Sequence, residues 1–146
     1  MEVTTIYDNQ LPKDSIVIKS HEDTERLPEI LNYINQLSDS KLFPGKYNEE
    51  TYYVKQHHII CFRIENKVLT MVTPEYQYTT SQRLYEIKAQ LSAHFLQISK
   101  SEIINVNYID KLKLNKNGTI KIIFTNGDYT YSSRRYLPLI KEALKL

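Results

Sequence analysis

The sequence predicts a mainly β domain with short helices, an α+β fold, preceded by a small αβ segment at the N-terminus. Runs of β-favouring residues recur roughly every eight to twelve residues from Thr51 onward, which is the spacing of an all-β unit. Twelve tyrosines, three glycines and no tryptophan suit a chain rich in strands. Asn-Gly pairs at 117–118 and 126–127 favour tight turns between such runs.

The N-terminal segment predicts two short strands and one helix. VTTIY (3–7) and SIVIK (15–19) favour strands on either side of a turn around Asp8-Asn9. HEDTERLPEILNYINQL (21–37) predicts a helix, because its apolar residues recur at helical spacing and acidic residues crowd its start, where the helix dipole favours them. The apolar positions of this helix are Leu27, Ile30, Leu31, Ile34 and Leu37.

SDSKLFPGKYNEE (38–50) carries the Ser, Asp, Pro and Gly of a connector, so we expect an N-terminal αβ segment at 1–45 and a second domain at 46–146. Charge divides in a similar way. Residues 1–50 contain five Lys/Arg and ten Asp/Glu, a net charge of −5, whereas residues 51–146 contain fourteen and seven, a net charge of +7. The positive part favours a polyanionic partner, with a solvated basic surface as the alternative.

The elements of the second domain follow in order. Its β-like runs are TYYVK (51–55), HHIICFRI (57–64), KVLTMVT (67–73), YQYTT (76–80), YIDKLKLN (108–115), TIKIIFTN (119–126) and YTYS (129–132). SQRLYEIKAQLSAHF (81–95) predicts a helix with Ser81 as its N-cap. SSRRYLPLIKEALKL (132–146) predicts a closing helix.

Residue patterns for catalysis or metal binding are weak. His57 and His58 are neighbours in a predicted strand, where they would point to opposite faces and could not share a metal. Cys61, within IICF, is predicted to be a buried thiol in a reducing cytoplasm and not a nucleophile. The sequence shows neither a signal peptide nor a membrane-spanning apolar run. We therefore expect a cytoplasmic protein that is not an enzyme and needs no metal or cofactor.

Two basic islands stand out instead. Ser99-Lys100-Ser101 interrupts the apolar run FLQISKSEIINVNYID (95–110), and Ser132-Ser133-Arg134-Arg135-Tyr136 precedes the closing helix. Hydroxyl, ammonium and guanidinium groups suit phosphate oxygens, and Arg can also bind guanine in the major groove. The alternative is that a serine caps the helix and the arginines are solvated. Arginines oppose the dipole at a helix start, however, which favours an external anion.

Longer phrases around these islands resemble the LytTR family of bacterial DNA-binding domains. The phrases are FLQISKSEIINVNYIDKLKL and TIKIIFTNGDYTYSSRRYLPLIKEAL, with IENKVLTMVTPEYQYTTSQRLYEIKAQL upstream also similar. The resemblance covers about residues 50–146. The residues that occupy motif positions are Phe95, Ile98, Ser101, Ile104, Asn105, Ile109, Asn126, Gly127, Ser133, Arg134, Arg135 and Tyr136. Ile104 stands where Val is more usual.

The resemblance implies a transcriptional regulator that binds double-stranded DNA sequence-specifically, without a helix-turn-helix, by inserting loops into successive major grooves. The implied DNA-binding residues are Ser99, Lys100, Ser101, Arg134, Arg135, Asn66 and Lys67, with Asn105 and Tyr136 as structural supports of the DNA loop. Lys100 would reach a base edge or a phosphate, and Arg135 would reach a base. Arg134 would contact a phosphate or serve as a structural partner beside Arg135. Glu65 departs from the basic or polar residue expected beside Asn66 and weakens that third contact.

The resemblance also implies partners. Family members bind paired direct repeats in promoters, so a homodimer on DNA is expected. Stand-alone members are often restrained by a small membrane protein. Residues 1–45 would be a regulatory or dimerisation segment, too short for a phosphorelay receiver. The alternative function is a protein-interaction module that has kept the fold without binding DNA, with the acidic extension docking its partner.

Overall fold

Alternating apolar and polar residues produce ten short strands between Leu42 and Tyr131. The computed structural model describes residues 1–12, 15–38 and 41–146, with side chains throughout except for residues 35–38. The helices in these ranges are α1 (Leu27–Ser38), α2 (Leu84–Lys88) and α3 (Leu137–Leu144). The strands are β1 (Leu42–Tyr47), β2 (Glu50–Lys55), β3 (Cys61–Glu65), β4 (Val68–Val72), β5 (Gln77–Thr80), β6 (Phe95–Ser99), β7 (Glu102–Asn105), β8 (Ile109–Leu114), β9 (Ile120–Phe124) and β10 (Tyr129–Tyr131). The predicted fold class, mainly β with short helices, is confirmed.

The described strands form two antiparallel sheets. One has the order β2-β1-β5-β4-β3-β7-β6 and the other the order β10-β9-β8. Most pairs are hairpins of consecutive strands, but β3 pairs with β7 through Cys61↔Ile104 and Arg63↔Glu102. Because these strands are antiparallel, the end of β3 lies beside the start of β7. The turn after β3 and the turn before β7 therefore lie at the same end of the sheet.

Two apolar clusters form the core. The first gathers around Phe62, whose ring contacts that of Phe43 edge-on with centroids 5.6 Å apart, and α2 contributes Leu84 and Ile87 to it. The second contains buried residues of β3, β4, β6, β7, β9 and α3, so it spans both sheets. Their members are more than nine-tenths buried, and burial of a large apolar side chain contributes about 1.5–3 kcal/mol. The second cluster thus fixes the closing helix against both sheets.

The two strands predicted at 3–7 and 15–19 are wrong, because neither stretch pairs with a neighbour in the structure. Val3, Ile6 and Tyr7 are mostly exposed. β-favouring residues indicate a fit to a half-buried pleated surface and not an intrinsic backbone state, so without a partner strand they do not form one.

The N-terminal helix is confirmed, but α1 begins at Leu27 and not near His21. Pro28 explains this start, since its missing N–H is harmless only in the first turn of a helix. The predicted apolar position Leu37 lies outside the described side chains. Compact units run from Met1 to Asn35 and from Gln36 to Leu146, whereas the predicted boundary between 45 and 46 falls inside β1.

The connector predicted at 38–50 is wrong over Leu42–Tyr47, which forms β1 between β2 and β5. Pro44 suggested a loop, because proline cannot donate to a ladder. In the structure β1 pairs with β5 only through Lys46↔Thr79, so the proline nitrogen needs no partner on that side.

Gly45 of β1 likewise marks a close approach and not a loop. A Cβ at this position would lie 2.6 Å from Met71 Cε and 2.6 Å from Tyr78 Cβ. Contacts that short do not occur between carbon atoms, so glycine is needed for β1 to lie against the neighbouring side chains.

The strand predicted at 57–64 begins later than expected. Gln56–His58 forms a 3-10 turn, and the rings of His57 and His58 contact each other with centroids 4.4 Å apart. The expectation that these histidines point to opposite faces of a strand is therefore wrong.

None of the described helices is long and apolar enough to span a bilayer.

Candidate nucleic-acid interface

The first basic island is the turn between β6 and β7. Ser99 ends β6, and the exposed Lys100 and Ser101 form the turn. The Ser99 and Ser101 hydroxyl oxygens lie 3.3 Å apart, and the Ser101 N–H donates to Ser99 Oγ at 3.3 Å. The Ile64 N–H donates to the Ser101 carbonyl at 2.9 Å, which fixes the turn to the end of β3. The two serines thus hold a turn from which the ammonium of Lys100 is open to solvent.

The third predicted contact, Asn66-Lys67, is the two-residue turn between β3 and β4. Both residues are exposed and have positive φ, 50° and 65°, between the paired Glu65 and Val68. Two consecutive positive φ values are the type I′ geometry that matches the twist of a hairpin. The turn projects the Lys67 side chain from the same end of the sheet as Lys100.

One cleft joins these two turns. Its volume is about 770 Å³, and Lys67 and Lys100 line it together with Arg83 and Lys88 from the two ends of α2. No Asp or Glu is among the described residues that line the cleft. The sheet and α2 therefore place four cations around one concave surface.

Arg83 and Lys88 were not predicted as site residues. The helix expected at 81–95 is only Leu84–Lys88, and its N-cap is Arg83 instead of Ser81, with no side-chain capping bond. No local motif indicated the two cations. The available signal was that exposed cations flank the pair of apolar residues that α2 buries in the core.

The arginine island forms a separate part of the surface. Arg134 and Arg135 are exposed within a 3-10 turn, Arg134–Tyr136, that leads into α3, and neither arginine lines the cleft. Tyr136 is the residue at the N-cap of α3, and no side chain caps that helix. The alternative in which a serine hydroxyl caps the closing helix is therefore wrong.

The two serines before these arginines anchor the segment to both sheets. The buried Ser132 hydroxyl accepts a hydrogen bond from the Ile120 N–H of β9 at 2.9 Å. The Ser133 N–H donates to the Ile98 carbonyl of β6 at 2.9 Å. Strand β6 thus carries the Lys100 turn at its end and holds the arginine segment along its length.

The two predicted supports lie deeper. Asn105 is buried, its amide nitrogen donates to the Ile59 carbonyl at 3.0 Å, and its amide oxygen accepts from the Asn107 N–H at 3.0 Å. Asn105 pairs with Phe95 at the end of the β6–β7 hairpin opposite the turn, so it holds the base of the hairpin and makes no contact with Lys100. Tyr136 is partly buried against the second core cluster.

The sequence did not predict the ion pair next to the Lys100 turn, which joins the partly buried Arg63 to the buried Glu102. Arg63 Nη2 lies 3.4 Å from Glu102 Oε1, and Arg63 Nη1 lies 3.5 Å from Glu65 Oε1. Thr130 Oγ1 of the second sheet donates to Glu102 Oε2 at 2.6 Å. Burial raises the pKa of the Glu102 carboxyl, while the Thr130 hydrogen bond and Arg63 oppose that rise. This cluster links β3, β7 and β10 behind the turn.

Cys61 is buried, as predicted. Burial raises the pKa of its thiol from the ordinary 9.0 to about 12, although Arg63 Nη2 lies 3.2 Å from the sulfur and opposes the shift.

A pKa difference of three units makes the thiolate of Cys61 about a thousand-fold rarer near pH 8 in the folded chain than in the unfolded chain. We expect a disulfide reagent to label native Cys61 at least about that much more slowly than the urea-unfolded chain. The raised pKa should also remove stability as pH rises from 9 toward 12, because only the unfolded thiol ionises there. Equal labelling rates in both states would contradict the burial.

Within the ranges that the structure describes, no three His, Cys, Asp or Glu residues are grouped so that they could hold a metal ion. The candidate functional groups on the described surface are cationic side chains. They lie in the β3–β4 turn, in α2, in the β6–β7 turn and in the segment before α3.

Comparison with known proteins shows what this chain is similar to. A family model described as the LytTr DNA-binding domain matches residues 49–145. Uncharacterized HTH-type transcriptional regulators of Staphylococcus aureus strains NCTC 8325 and COL are each 40% identical over 122 residues, which cover 84% of this chain and 83% of theirs. A solved LytTr DNA-binding domain from Bacillus cereus aligns with a TM-score of 0.70 at 19% identity, covering 73% of this chain and 99% of that one. At that identity the structural likeness concerns the fold alone.

Proposed function

The chain belongs to the family of LytTr DNA-binding domains, and we propose that it regulates transcription by binding double-stranded promoter DNA sequence-specifically. The observation that carries the proposal is the family match over residues 49–145, within which the sheet presents exposed basic turns. Relatives that are named as transcriptional regulators support the same function, and the alignment covers similar shares of this chain and of theirs, 84% and 83%. The turns take the place of a recognition helix, since β6 to β10 lie between α2 and α3 and these helices do not form a helix-turn-helix.

Lys100 is the proposed contact of the β6–β7 turn. Its ammonium is exposed on a tight turn that is fixed by the Ser99 and Ser101 hydroxyls and by the Ile64 N–H. A rigid turn loses little conformational freedom when it binds, so a short cationic protrusion is suited to enter a major groove. We propose that Lys100 reaches a base edge or a phosphate and that the serines position it.

Arg135 and Arg134 are the proposed contacts of the segment before α3. Arg135 would donate two hydrogen bonds to guanine, and Arg134 would contact a phosphate. The hydrogen bond from the Ser133 N–H to the Ile98 carbonyl holds this segment at a fixed distance from the Lys100 turn. Asn66 and Lys67 form the third proposed contact. It is the weakest of the three, because Glu65 places a carboxylate beside the turn.

The proposal includes paired direct repeats as the DNA target and a homodimer bound to them. The segment at 1–45 is the proposed regulatory or dimerisation element, and restraint by a small membrane protein stays a prediction. A two-copy assembly is testable by the stoichiometry of the complex on DNA that carries one or both repeats.

The test is a titration of the full chain against its own promoter region and against a random duplex of equal length, at salt concentrations from about 50 to 200 mM. Because cationic side chains displace counterions from phosphates, we expect affinity for both duplexes to fall steeply with salt. The promoter is expected to bind at least about a thousand-fold more tightly than the random duplex. Equal affinity for the two would overturn sequence specificity. No salt-dependent affinity for any duplex would overturn DNA binding and favour the protein-interaction module.

A further inference from the structure

We propose that the cleft between the β3–β4 turn, α2 and the β6–β7 turn binds the phosphate backbone of DNA, with Arg83 and Lys88 as phosphate contacts. This inference rests on the proposed function and extends the interface to α2. The cations that line the cleft are Lys67, Arg83, Lys88 and Lys100. Two of them belong to proposed DNA-contacting turns, so a duplex that meets both turns also lies over the other two.

The charges of the cleft lack an internal counterion. The ion pairs among the described residues join His21 to Asp23 and Arg63 to two glutamates, and no cleft cation takes part in them. Like charges gathered around a concave surface repel one another and concentrate a positive potential in it. A bound polyanion removes that repulsion, whereas a neutral or cationic ligand would not.

The polar groups between the cations suit phosphate oxygens. Ser81 and Gln82 line the cleft beside Arg83, and such side chains donate to phosphate oxygens without reading sequence. Arg83 is exposed and takes part in none of the ion pairs among the described residues, so its guanidinium is available to an oxygen pair.

Lys88 is held in place and coupled to the β6–β7 turn. Its Nζ donates to Gln97 Oε1 at 2.8 Å, and Gln97 Nε2 donates to the Ser99 carbonyl at 3.0 Å. Gln97 therefore connects the ammonium on α2 to the residue just before Lys100. Lys88 both faces the cleft and helps to position the turn, whereas Arg83 lacks such a connection and gives the cleaner test.

The experiment compares Arg83→Gln and Lys88→Gln with Lys55→Gln, which removes an exposed cation from the edge strand β2, outside the cleft lining. Affinities of the full chain are measured for the promoter duplex and for a random duplex at several salt concentrations. Loss of one phosphate contact should make the negative slope of log K against log salt less steep by about 0.9, which is about five-fold in affinity at 0.15 M salt. We expect both cleft variants to lose this much on both duplexes, leaving the ratio between them unchanged for Arg83→Gln.

The outcomes separate this proposal from the proposed function. If the wild-type chain binds the promoter and Arg83→Gln keeps the wild-type slope on both duplexes, the cleft assignment is overturned and the proposed function stands. An equal loss in Lys55→Gln would attribute the effect to net charge and also overturn the cleft. If the wild-type chain binds no duplex, both proposals fail. Urea unfolding of each variant checks that the fold is kept.

Discussion

A Lys100→Ala, Arg135→Ala double variant is expected to lose about 2–4 kcal/mol of binding free energy for the promoter duplex, which is roughly thirty- to a thousand-fold in affinity. Loss of a bidentate contact from Arg135 to guanine accounts for about 1–3 kcal/mol of this. Loss of a phosphate or base contact from Lys100 accounts for the rest. Both side chains are exposed, so the fold should tolerate their removal.

The single variants distinguish the two roles. If Lys100 meets a phosphate, Lys100→Ala weakens binding to promoter and random duplex alike and flattens the salt dependence. Arg135→Ala should instead reduce the difference in affinity between the promoter duplex and the random duplex. Competition with promoter duplexes altered at single base pairs would show which position loses its preference.

The matched control is Lys55→Ala, Lys141→Ala, which removes two exposed cations that lie outside the proposed contact segments. It changes net charge equally and should leave the preference for promoter over random duplex unchanged. If the Lys100→Ala, Arg135→Ala variant keeps the wild-type affinity and the wild-type preference for the promoter duplex, the site assignment is refuted. DNA binding by the protein would still stand.

Replacing Arg63 by Ala should lower the free energy of unfolding by about 3 kcal/mol, measured by urea denaturation at pH 7. Glu102 is 8% exposed, and Arg63 is the cation that contacts its carboxylate. After removal of Arg63 the negative charge of Glu102 stays buried. The hydrogen-bond donor that the structure describes for its side chain is then the Thr130 hydroxyl. Breaking a buried pair costs much more than the pair contributes, because the charge that remains cannot be hydrated.

The pH dependence and a second substitution identify the cause. Without Arg63 the pKa of Glu102 should rise further above its ordinary 4.5, so the variant loses stability as pH rises from about 4.5 and the unfolded carboxyl ionises. The deficit against wild type should therefore be smaller near pH 4 than at pH 7. Adding Glu102→Gln should recover part of the loss.

The control for Arg63 is Glu65→Gln. The Glu65 side chain is 47% exposed, so loss of its contact with Arg63 should change stability by less than about 1 kcal/mol. A double variant Arg63→Ala, Glu102→Gln less stable than Arg63→Ala alone would contradict the explanation and attribute the loss to packing of the Arg63 side chain.

Local pattern predicted most strands of the second domain, because each hairpin there is encoded by alternating residues and a turn. The hairpin of β8 and β9 is the clearest case, with Gly118 in its turn at φ +83°. Where pattern failed, the deciding contact was remote in sequence. Gly45 marks a close approach of Met71 and Tyr78, and nothing near position 45 distinguishes that from a loop.

The candidate site was predictable in its parts but not in its assembly. Lys67 and Lys100 were predicted from the resemblance as members of two separate DNA contacts. Their common cleft depends on the pairing of β3 with β7, which local sequence does not specify. Arg83 and Lys88 were not predicted, because a basic residue beside a buried helical position is usually only solvated. They became candidates because the fold places them across the cleft from Lys67 and Lys100.

The pairing of β3 with β7 also sets when the cationic cleft forms during folding. Hairpins of consecutive strands form in about 1–10 μs, but contacts between distant segments must first overcome the entropy of closing a long loop. Lys67 belongs to the β3–β4 hairpin and Lys100 to the β6–β7 hairpin, so neither hairpin contains the cleft by itself. A newly made chain therefore brings the Lys67 and Lys100 turns to one cleft only after the slow, long-range step, because before it the two lysines lie on separate hairpins.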